Sequence, residues 1–275
     1  MIIFTDNRID NSTLSATNEN ANFPIENIQN VHLVNRFRTS AASTVITVTF
    51  TSQYNIDSIC IGGHNLTSQA SITVEYLQGG SYSTLGTVSA ELENTTDNLL
   101  LNTGFNLLLN SGDLLLLNGS TRSNPYGTFD KVYADGLRIT ISDTANTDGY
   151  IEIGRIYAGE YYETNKIGGA PVEDRNSTTK YNISVTGQAY RVTGYQYDTI
   201  EYFVPQISIE ELEEIRGKFD DFASQGPFFI VPYDSCSGIT PQARYVIYNN
   251  ASFEPIFRQG GIIFYQARFP FREAF

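Results

Sequence analysis

Few side chains in this sequence have the type and spacing that enzymatic chemistry or metal binding requires. His32 and His64 are the only histidines, and Cys60 and Cys236 are the only cysteines. A zinc site takes three or four nitrogen or sulfur ligands, and the sequence contains no His/Cys cluster that could supply them. The two cysteines are too few for a disulfide framework, so we expect two free thiols and no metal centre.

Cys236 lies in a Ser235–Gly238 segment that superficially resembles a nucleophile loop. A cysteine attacks as the thiolate and needs a base or another activating group. Residues 161–275 contain no histidine to serve as that base, so we interpret Cys236 as structural.

A glycosidase uses a pair of carboxylates that the fold, and not sequence spacing, brings together. The 30 acidic residues are therefore weak evidence for such a pair. We predict no catalytic residue and no cofactor.

Two segments carry oxygen ligands of the kind that calcium prefers. Asp6, Asn7, Asp10 and Asn11 form the first, and residues 143–148 form the second. The first segment lacks the glycine and terminal glutamate of the helix–loop–helix calcium motif, and the second is a similar case. We therefore interpret both as solvated loops and predict no metal site.

Four residues are candidates for contact with a ligand or a partner. Arg36 and Arg38 lie in an irregular opening segment, and His64 and Asn65 end the turn at Gly62–Asn65. This turn could be a ligand-contacting loop, or a turn in which histidine tolerates an unusual backbone conformation. We favour the turn for His64 and keep the ligand contact as the alternative.

The first half of the chain has the residue alternation of a β-sandwich. Residues 44–50 alternate threonine with apolar side chains, which is the period-two pattern of a sheet with one buried face. Residues 72–76 and 137–141 have the same alternation. These segments predict antiparallel strands that bury one face each.

Residues 149–159 are interpreted as the closing strand of this sandwich and the boundary of its domain. Glu152 and Arg155 are expected on the polar face of a half-buried strand, with isoleucines on the other face. The sequence therefore predicts a sandwich domain at 1–160.

Residues 99–119 contain an internal repeat of period eight. Each of its three units is a leucine triplet followed by an Asn-x-Gly or Asn-Gly turn. Three units are too few for a solenoid, so we interpret them as a flap inserted in the sandwich. Because exposed apolar patches of this size are rare on monomers, the sandwich or a neighbouring subunit is expected to cover the leucines.

The second half of the chain has a different order of elements. A polar segment at 161–180 is interpreted as a connector, and strands continue in a domain at 181–275. Ser208 and Glu211 form a capping box for a helix predicted at 208–224. The predicted fold class is therefore mainly β, with an N-terminal β-sandwich and a C-terminal β-sandwich or tube-like domain that contains one α-helix.

The formal charge of −13 excludes several classes of partner. Residues 1–160 carry 16 acidic and 7 basic side chains (−9), and residues 161–275 carry 14 and 10 (−4). Without a clustered cationic face, neither half should bind nucleic acid or an anionic membrane.

The first residues do not have the pattern of a signal peptide. Polar residues interrupt the leucine-rich stretch, which is not the pattern of a membrane-spanning helix.

The first half resembles the discoidin or galactose-binding-like sandwiches found in structural proteins of tailed bacteriophages. The resemblance rests on residues 23–28, 59–66 and 137–140 and on the strand at 149–159. It implies a jelly-roll sandwich. In the sugar-binding members of that family, aromatic and charged loop residues form the site, which here implies a surface near Arg36, Arg38 and His64.

The second half is similar in layout to the tube-like domain of distal tail and tail-hub proteins. This resemblance rests on the order of strands, one helix and a terminal aromatic strand. It implies a homo-oligomeric ring, with a hexamer as one expected size, that contacts other phage tail proteins. The protein would then be made in the host cytoplasm without a signal peptide and would end in the virion tail.

Three functions follow from these observations. The first is a non-enzymatic virion protein, a distal tail or tail-hub ring component that joins the tail tube to the tail tip. The alternative is a carbohydrate-binding module that attaches the particle to a host cell-surface glycan. A polysaccharide hydrolase is the third and has the least support.

Overall fold

The computed structural model describes most of the first half of the chain and the strands of the second half. The described residues are 2–4, 6–90, 124–163, 172–177, 180–183, 189–192, 196–210, 213, 217, 226–231, 243–248, 252–257 and 263–274. The leucine repeat predicted at 99–119 and the segment around Cys236 lie outside the described residues.

The described part is built mainly of β-strands, as the sequence predicts. The strands are β1 (Ile2–Phe4), β2 (Thr13–Ala16), β3 (Phe37–Arg38), β4 (Ser43–Gly62), β5 (Ser71–Gln78), β6 (Ser81–Ser89), β7 (Tyr126–Ser142), β8 (Glu152–Ile153), β9 (Arg155–Gly159), β10 (Tyr161–Glu163), β11 (Val172–Ser177), β12 (Lys180–Ile183), β13 (Ala189–Val192), β14 (Gln196–Ile207), β15 (Phe228–Val231), β16 (Arg244–Tyr248), β17 (Ser252–Phe257) and β18 (Ile263–Glu273). Two 3-10 helices span Arg8–Asn11 and Ile25–Gln29. Within the described residues, no helix is both long and apolar enough to cross a bilayer.

The chain divides into two compact units. The sandwich unit contains Arg8–Gly159 and Cys236–Ala243, and the terminal unit contains Met1–Asn7, Glu160–Ser235 and Arg244–Phe275. This division differs from a first domain at 1–160, because β1 pairs with β10 and β15 and so belongs to the terminal unit. Three consecutive apolar residues at the start of a chain give no local sign of which distant strand they will join.

The sandwich unit is organised around two long strands, β4 and β7. Its larger sheet has the order β2-β4-β7-β5-β6, and β9 also pairs with β4. Ile46 and Val48 lie on the buried face of β4, while Thr47 between them is only half-buried, as alternation requires. The pairing of β4 with β7 shifts register between Thr49 and Tyr54 and again between Ile56 and Ser58. One apolar cluster joins the side chains of both halves of β4.

The closing segment is buried more completely than alternation indicates. Every residue of β8 and β9 is buried, including Glu152 and Arg155. The expectation that these two side chains form a polar, half-exposed face is therefore wrong. Both are buried as ion pairs: Arg155 donates from Nη2 to Asp10 Oδ2 at 2.6 Å and from Nη1 to the Gln29 carbonyl at 2.7 Å.

The terminal unit contains an eight-stranded sheet. Its order is β10-β1-β15-β16-β18-β14-β11, with β17 also paired to β18, and β12 and β13 form a separate hairpin. The predicted connector at 161–180 includes β10 and β11, which pair as strands of this sheet, and residues 164–171 and 178–179 of it lie outside the described part. Strands at the ends of a sheet tolerate charged residues, so polar composition alone does not exclude a strand.

The helix predicted at 208–224 is only partly within the described residues. Ile209, Glu210, Glu213 and Gly217 are helical, and most of the remaining residues of this segment lie outside the described part. The core of the terminal unit consists of aromatic and aliphatic side chains of the sheet. Phe271 packs edge-on against Tyr202 and Phe228, with ring centroids 5.7 and 6.0 Å apart.

Candidate ligand-binding site

The candidate site begins with the short ladder between β3 and β8. Phe37 lies opposite Ile153, and Arg38 lies opposite Glu152. The Phe37 side chain is fully buried in the apolar core, so its sequence neighbour Arg38 is directed to the other face of the ladder. The strand pairing therefore places a guanidinium beside a carboxylate that is 114 residues away in sequence.

Arg36, Arg38 and Glu152 form a compact ionic group, the Arg–Glu cluster. Arg38 donates from Nε and Nη2 to Glu152 Oε2 at 3.0 and 2.5 Å, and Arg36 donates from Nη1 to Oε1. The side chain of Glu152 is 10% exposed, against 39% for Arg36 and 30% for Arg38. A buried carboxylate is costly unless it is paired, and each oxygen here has a guanidinium partner.

Two aromatic rings hold the Arg38 guanidinium in place. Its central carbon lies 4.3 Å from the ring centroid of Phe23 and 4.5 Å from that of Tyr150. Both rings are half-buried. A guanidinium this close to aromatic faces is attracted by their negative potential, so Arg38 is restrained by stacking as well as by hydrogen bonds.

Asn65 connects this cluster to the loop between β4 and β5. Its Oδ1 accepts the Glu152 N–H at 2.7 Å, and its Nδ2 donates to Asp148 Oδ2 and to the Tyr150 carbonyl, both at 3.0 Å. Asn146 Nδ2 donates in turn to the Asn65 and Tyr150 carbonyls at 3.1 Å. The buried amide of Asn65 thus positions both the carboxylate and the segment that carries Tyr150.

A second connection joins the same two loops. Asp143, which is fully buried, accepts the Thr67 N–H at 2.7 Å and the Thr67 hydroxyl at 2.6 Å. In the part of the chain that the structure describes, no three His, Cys, Asp or Glu side chains are grouped to hold a metal ion. The interpretation of residues 143–148 as a solvated loop is therefore wrong for Asp143, whose buried carboxylate binds Thr67, while the Asp10 carboxylate pairs with Arg155.

Of the four residues that the sequence suggests as ligand contacts, the structure brings two together at the surface and buries the other two. Arg36 and Arg38 meet at Glu152, whereas His64 and Asn65 are buried. His64 Nδ1 accepts the Leu66 N–H at 3.1 Å, and the positive φ of the turn belongs to Gly63, at 65°. The burial of both side chains argues against direct ligand contact and for a positioning role.

Glu152, Tyr150 and Phe23 are the site residues that the sequence did not identify. Two arginines with one residue between them share a face where the backbone is extended, and they need a nearby anion if they are half-buried. That spacing was a usable signal for a partner carboxylate. Which of 30 acidic residues would supply it depended on strand pairing.

A second arginine of the sandwich unit provides a matched comparison. Arg138 lies opposite Glu75 in the β5–β7 ladder and donates from Nε and Nη2 to its two carboxylate oxygens, each at 2.6 Å. Its guanidinium lies 4.2 Å from the Tyr82 ring centroid. The hydrogen bond from Arg138 lowers the pKa of Glu75 below its ordinary value. One arginine is balanced here by one carboxylate.

The Arg–Glu cluster has hydrogen-bond donors left over for a ligand. Among the described residues, no partner accepts from Nε or Nη2 of Arg36, or from Nη1 of Arg38. The Glu152 carboxylate accepts from both guanidiniums and is covered by them, which does not suit it to proton transfer. The arrangement is suited to binding.

No protein-family model and no curated protein matches this chain, but solved structures do. One is the family 32 carbohydrate-binding module of NanJ from Clostridium perfringens in complex with galactose, at 16% identity and a TM-score of 0.40, over 59% of this chain and 100% of that one. Another module from that organism, in complex with GalNAc-β-1,3-galactose, has 9% identity and a TM-score of 0.39, over 56% of this chain and 100% of that one.

A third similar structure is chitosan-binding module 1 of a chitosanase/glucanase from Paenibacillus sp. IK-5. It has 14% identity and a TM-score of 0.38, over 56% of this chain and 99% of that one. At such identities and TM-scores, these likenesses carry no argument about what this chain binds.

Proposed function

We propose that the sandwich unit binds a saccharide at the surface formed by Arg36, Arg38 and Tyr150. The observation that carries the proposal is the Arg38 guanidinium, which contacts two aromatic rings and a buried carboxylate while donors of the Arg–Glu cluster remain unused. The proposal replaces the tail-ring role as the first function and assigns no catalytic step.

The chemistry of this surface matches that of a sugar ring. Binding sites combine apolar or aromatic surface with a few polar groups that fix orientation. A planar guanidinium offers several N–H donors in fixed directions to neighbouring oxygen atoms. Since stacking and hydrogen bonds already restrain Arg38, little side-chain entropy remains to be lost when a ligand binds.

The test is binding of the full-length protein to a glycan array, followed by calorimetry with the glycans that bind. Tyr150→Ala removes one ring of the site and keeps the backbone carbonyl that Asn65 and Asn146 use. We expect this variant to weaken binding by about tenfold or more, which is about 1.4 kcal/mol.

Tyr82→Ala is the matched control for that experiment. It removes the ring that stacks on Arg138 and lies outside the candidate site, so saccharide affinity should not change. Thermal unfolding of both variants checks that they are folded. If no glycan binds, or if both tyrosine variants lose the same affinity, the proposal is wrong.

A second candidate function is assembly into a ring, which the resemblance to tail proteins implies. β11 stands at one end of its sheet, where its described backbone pairs with β14 alone, and Val172 on it is 57% exposed. Strand edges with exposed apolar residues pair readily with other chains. None of the three similar structures described above is a tail protein, so the ring, the tail partners and the virion location rest on this edge and on the resemblance.

Light scattering of the full chain over a range of concentrations tests this second candidate. A ring predicts assembly that grows with concentration and that Val172→Lys weakens, because a charge on the edge opposes pairing. Ile209→Lys, which adds the same charge at an exposed helical position, is the control for the change in charge. A particle that stays monomeric at high concentration contradicts assembly by this chain alone.

A further inference from the structure

We infer that the saccharide bound at the Arg–Glu cluster carries a carboxylate group, which pairs with Arg36. This inference rests on the proposed function and narrows it to one class of sugar. Three observations support it: the charge balance of the cluster, the solvent exposure of each of its groups, and the different restraints on its two arginines.

The cluster contains two positive charges and one negative charge. Arg36 and Arg38 share the single carboxylate of Glu152, whereas the Arg138 pair in the same unit is balanced one to one. One guanidinium charge is therefore left without a counter-charge inside the cluster, because the nearby exposed carboxylate of Asp148 accepts from Asn65 and, among the described residues, pairs with neither arginine. A ligand carboxylate would supply it.

The positive groups are also the ones that a ligand meets first. The side chain of Glu152 is 10% exposed, and those of Arg36 and Arg38 are 39% and 30% exposed. The carboxylate thus lies beneath the guanidiniums. The outward surface of the cluster is cationic even though the sequence from 1 to 160 carries 16 acidic and 7 basic residues.

Arg36 is the arginine that can take a new partner. Arg38 makes two hydrogen bonds to Glu152 and contacts the rings of Phe23 and Tyr150, so its position is set. Arg36 makes one side-chain hydrogen bond, while Asn27 Nδ2 donates to its carbonyl at 2.9 Å and holds the backbone. Its Nε and Nη2 form the pair of parallel donors that a carboxylate accepts bidentately.

The acidic balance of the surrounding chain limits the kind of acidic saccharide. A dense polyanion would be repelled by the net charge of −9 over residues 1–160. A single acidic sugar among neutral ones pairs with Arg36 at short range and brings little further charge. We therefore assign the site to a uronic-acid-type or sialic-acid-type residue in a sparsely charged glycan.

The experiment compares oligosaccharides that differ only in the carboxylate. Calorimetry with the full-length protein would use an oligosaccharide with one uronic acid, its methyl ester, and the neutral sugar of the same stereochemistry. The acid should bind about tenfold more tightly than the ester and the neutral sugar. This comparison uses the unmodified protein, so it does not depend on the folding of any variant.

Arg36→Gln then assigns the preference to this side chain. The variant should bind all three ligands with similar affinity, close to that of the unmodified protein for the ester. Arg138→Gln is the control and should keep the preference. If unmodified protein binds the acid and the neutral sugar equally, the inference fails and the proposed function stands. If none of the three ligands and no glycan on the array binds, both fail.

Discussion

At the scale of residues, Glu152 is the group on which the candidate site depends. It is buried, it lies opposite Arg38, and it accepts hydrogen bonds from two arginines. The cost of burying its charge is offset by the two guanidiniums, which themselves remain 39% and 30% exposed.

Replacing Glu152 should therefore destabilise the sandwich unit. In Glu152→Ala, two neighbouring guanidiniums lose the hydrogen bonds to their shared carboxylate but stay partly hydrated, and we expect the free energy of unfolding to fall by about 1.5 kcal/mol. Urea denaturation measures this change. Glu75→Ala is the control, because the Glu75 carboxylate is 18% exposed and has one arginine partner, so its loss should cost less. Equal losses in the two variants would contradict the role given to burial.

Glu75 makes a separate prediction about pH. Because the hydrogen bond from Arg138 lowers its pKa from the ordinary value of 4.5, the folded protein holds the charged form more strongly than the unfolded chain does. The pair therefore contributes stability above pH 4.5, and that contribution is lost as the pH falls through the lowered folded pKa.

The measurement compares the pH dependence of stability in the unmodified protein and in Glu75→Gln. The unmodified protein should be the more stable of the two at neutral pH, and the difference should close under acid conditions. A difference that stays constant down to low pH would show that packing, and not ionisation, distinguishes the two proteins. Gln69→Ala, an exposed change without an ionisable group, controls for the measurement itself.

At the scale of elements, the site is a property of two loops and one short ladder. The β4–β5 loop supplies Asn65, the β7–β8 segment supplies Asp148 and Tyr150, and the β3–β8 ladder sets Arg38 against Glu152. Neither loop contains regular structure that could hold these residues alone. The buried amide of Asn65 therefore fixes the geometry on which the arginines depend.

Asn65→Ala should weaken both stability and saccharide binding. It leaves the Glu152 N–H and the Asp148 carboxylate without their Asn65 partner, at a cost of about 2 kcal/mol in the free energy of unfolding. Chemical denaturation and calorimetry measure the two effects. Gln69→Ala, in the same loop and exposed, should change neither. Full binding in a destabilised Asn65→Ala protein would contradict its positioning role.

At the scale of the whole molecule, the two units are not consecutive segments of the sequence. The chain begins in the terminal unit with β1, passes through the sandwich unit, and returns with β10. Ile2, Ile3 and Phe4 are buried in β1 between its two partner strands. Burial of each such side chain contributes about 1.5–3 kcal/mol, so this short strand matters to the terminal unit.

Deleting residues 1–7 should unfold or loosen the terminal unit and leave the sandwich unit intact. The deletion removes the strand that pairs with both β10 and β15, while the apolar cluster of the sandwich contains none of these residues. Calorimetric unfolding should show the loss of one transition, and saccharide binding should persist. Ile2→Val, which keeps the strand, is the control. Loss of binding together with both transitions would contradict this independence.

The sequence by itself determined the class of fold and much of the buried pattern. Alternation in 44–50 and 137–141 predicted strands with one apolar face, and the structure buries Ile46, Val48 and Ile139 accordingly. Such patterns are local, because a strand exposes and buries successive side chains whatever its partner. The fold class, mainly β with an N-terminal β-sandwich, is confirmed for that reason.

Only the tertiary structure decided which distant segments meet. The pairing of β1 with β10 and β15, the incorporation of β10 and β11 into a sheet, and the contact of Arg36 and Arg38 with Glu152 all join residues far apart in sequence. Backbone hydrogen bonds between strands carry no residue code, so local periodicity cannot specify the partner. The sequence does not show which acidic residue pairs with both arginines. The β3–β8 ladder identifies it as Glu152, whose buried carboxylate requires guanidinium partners.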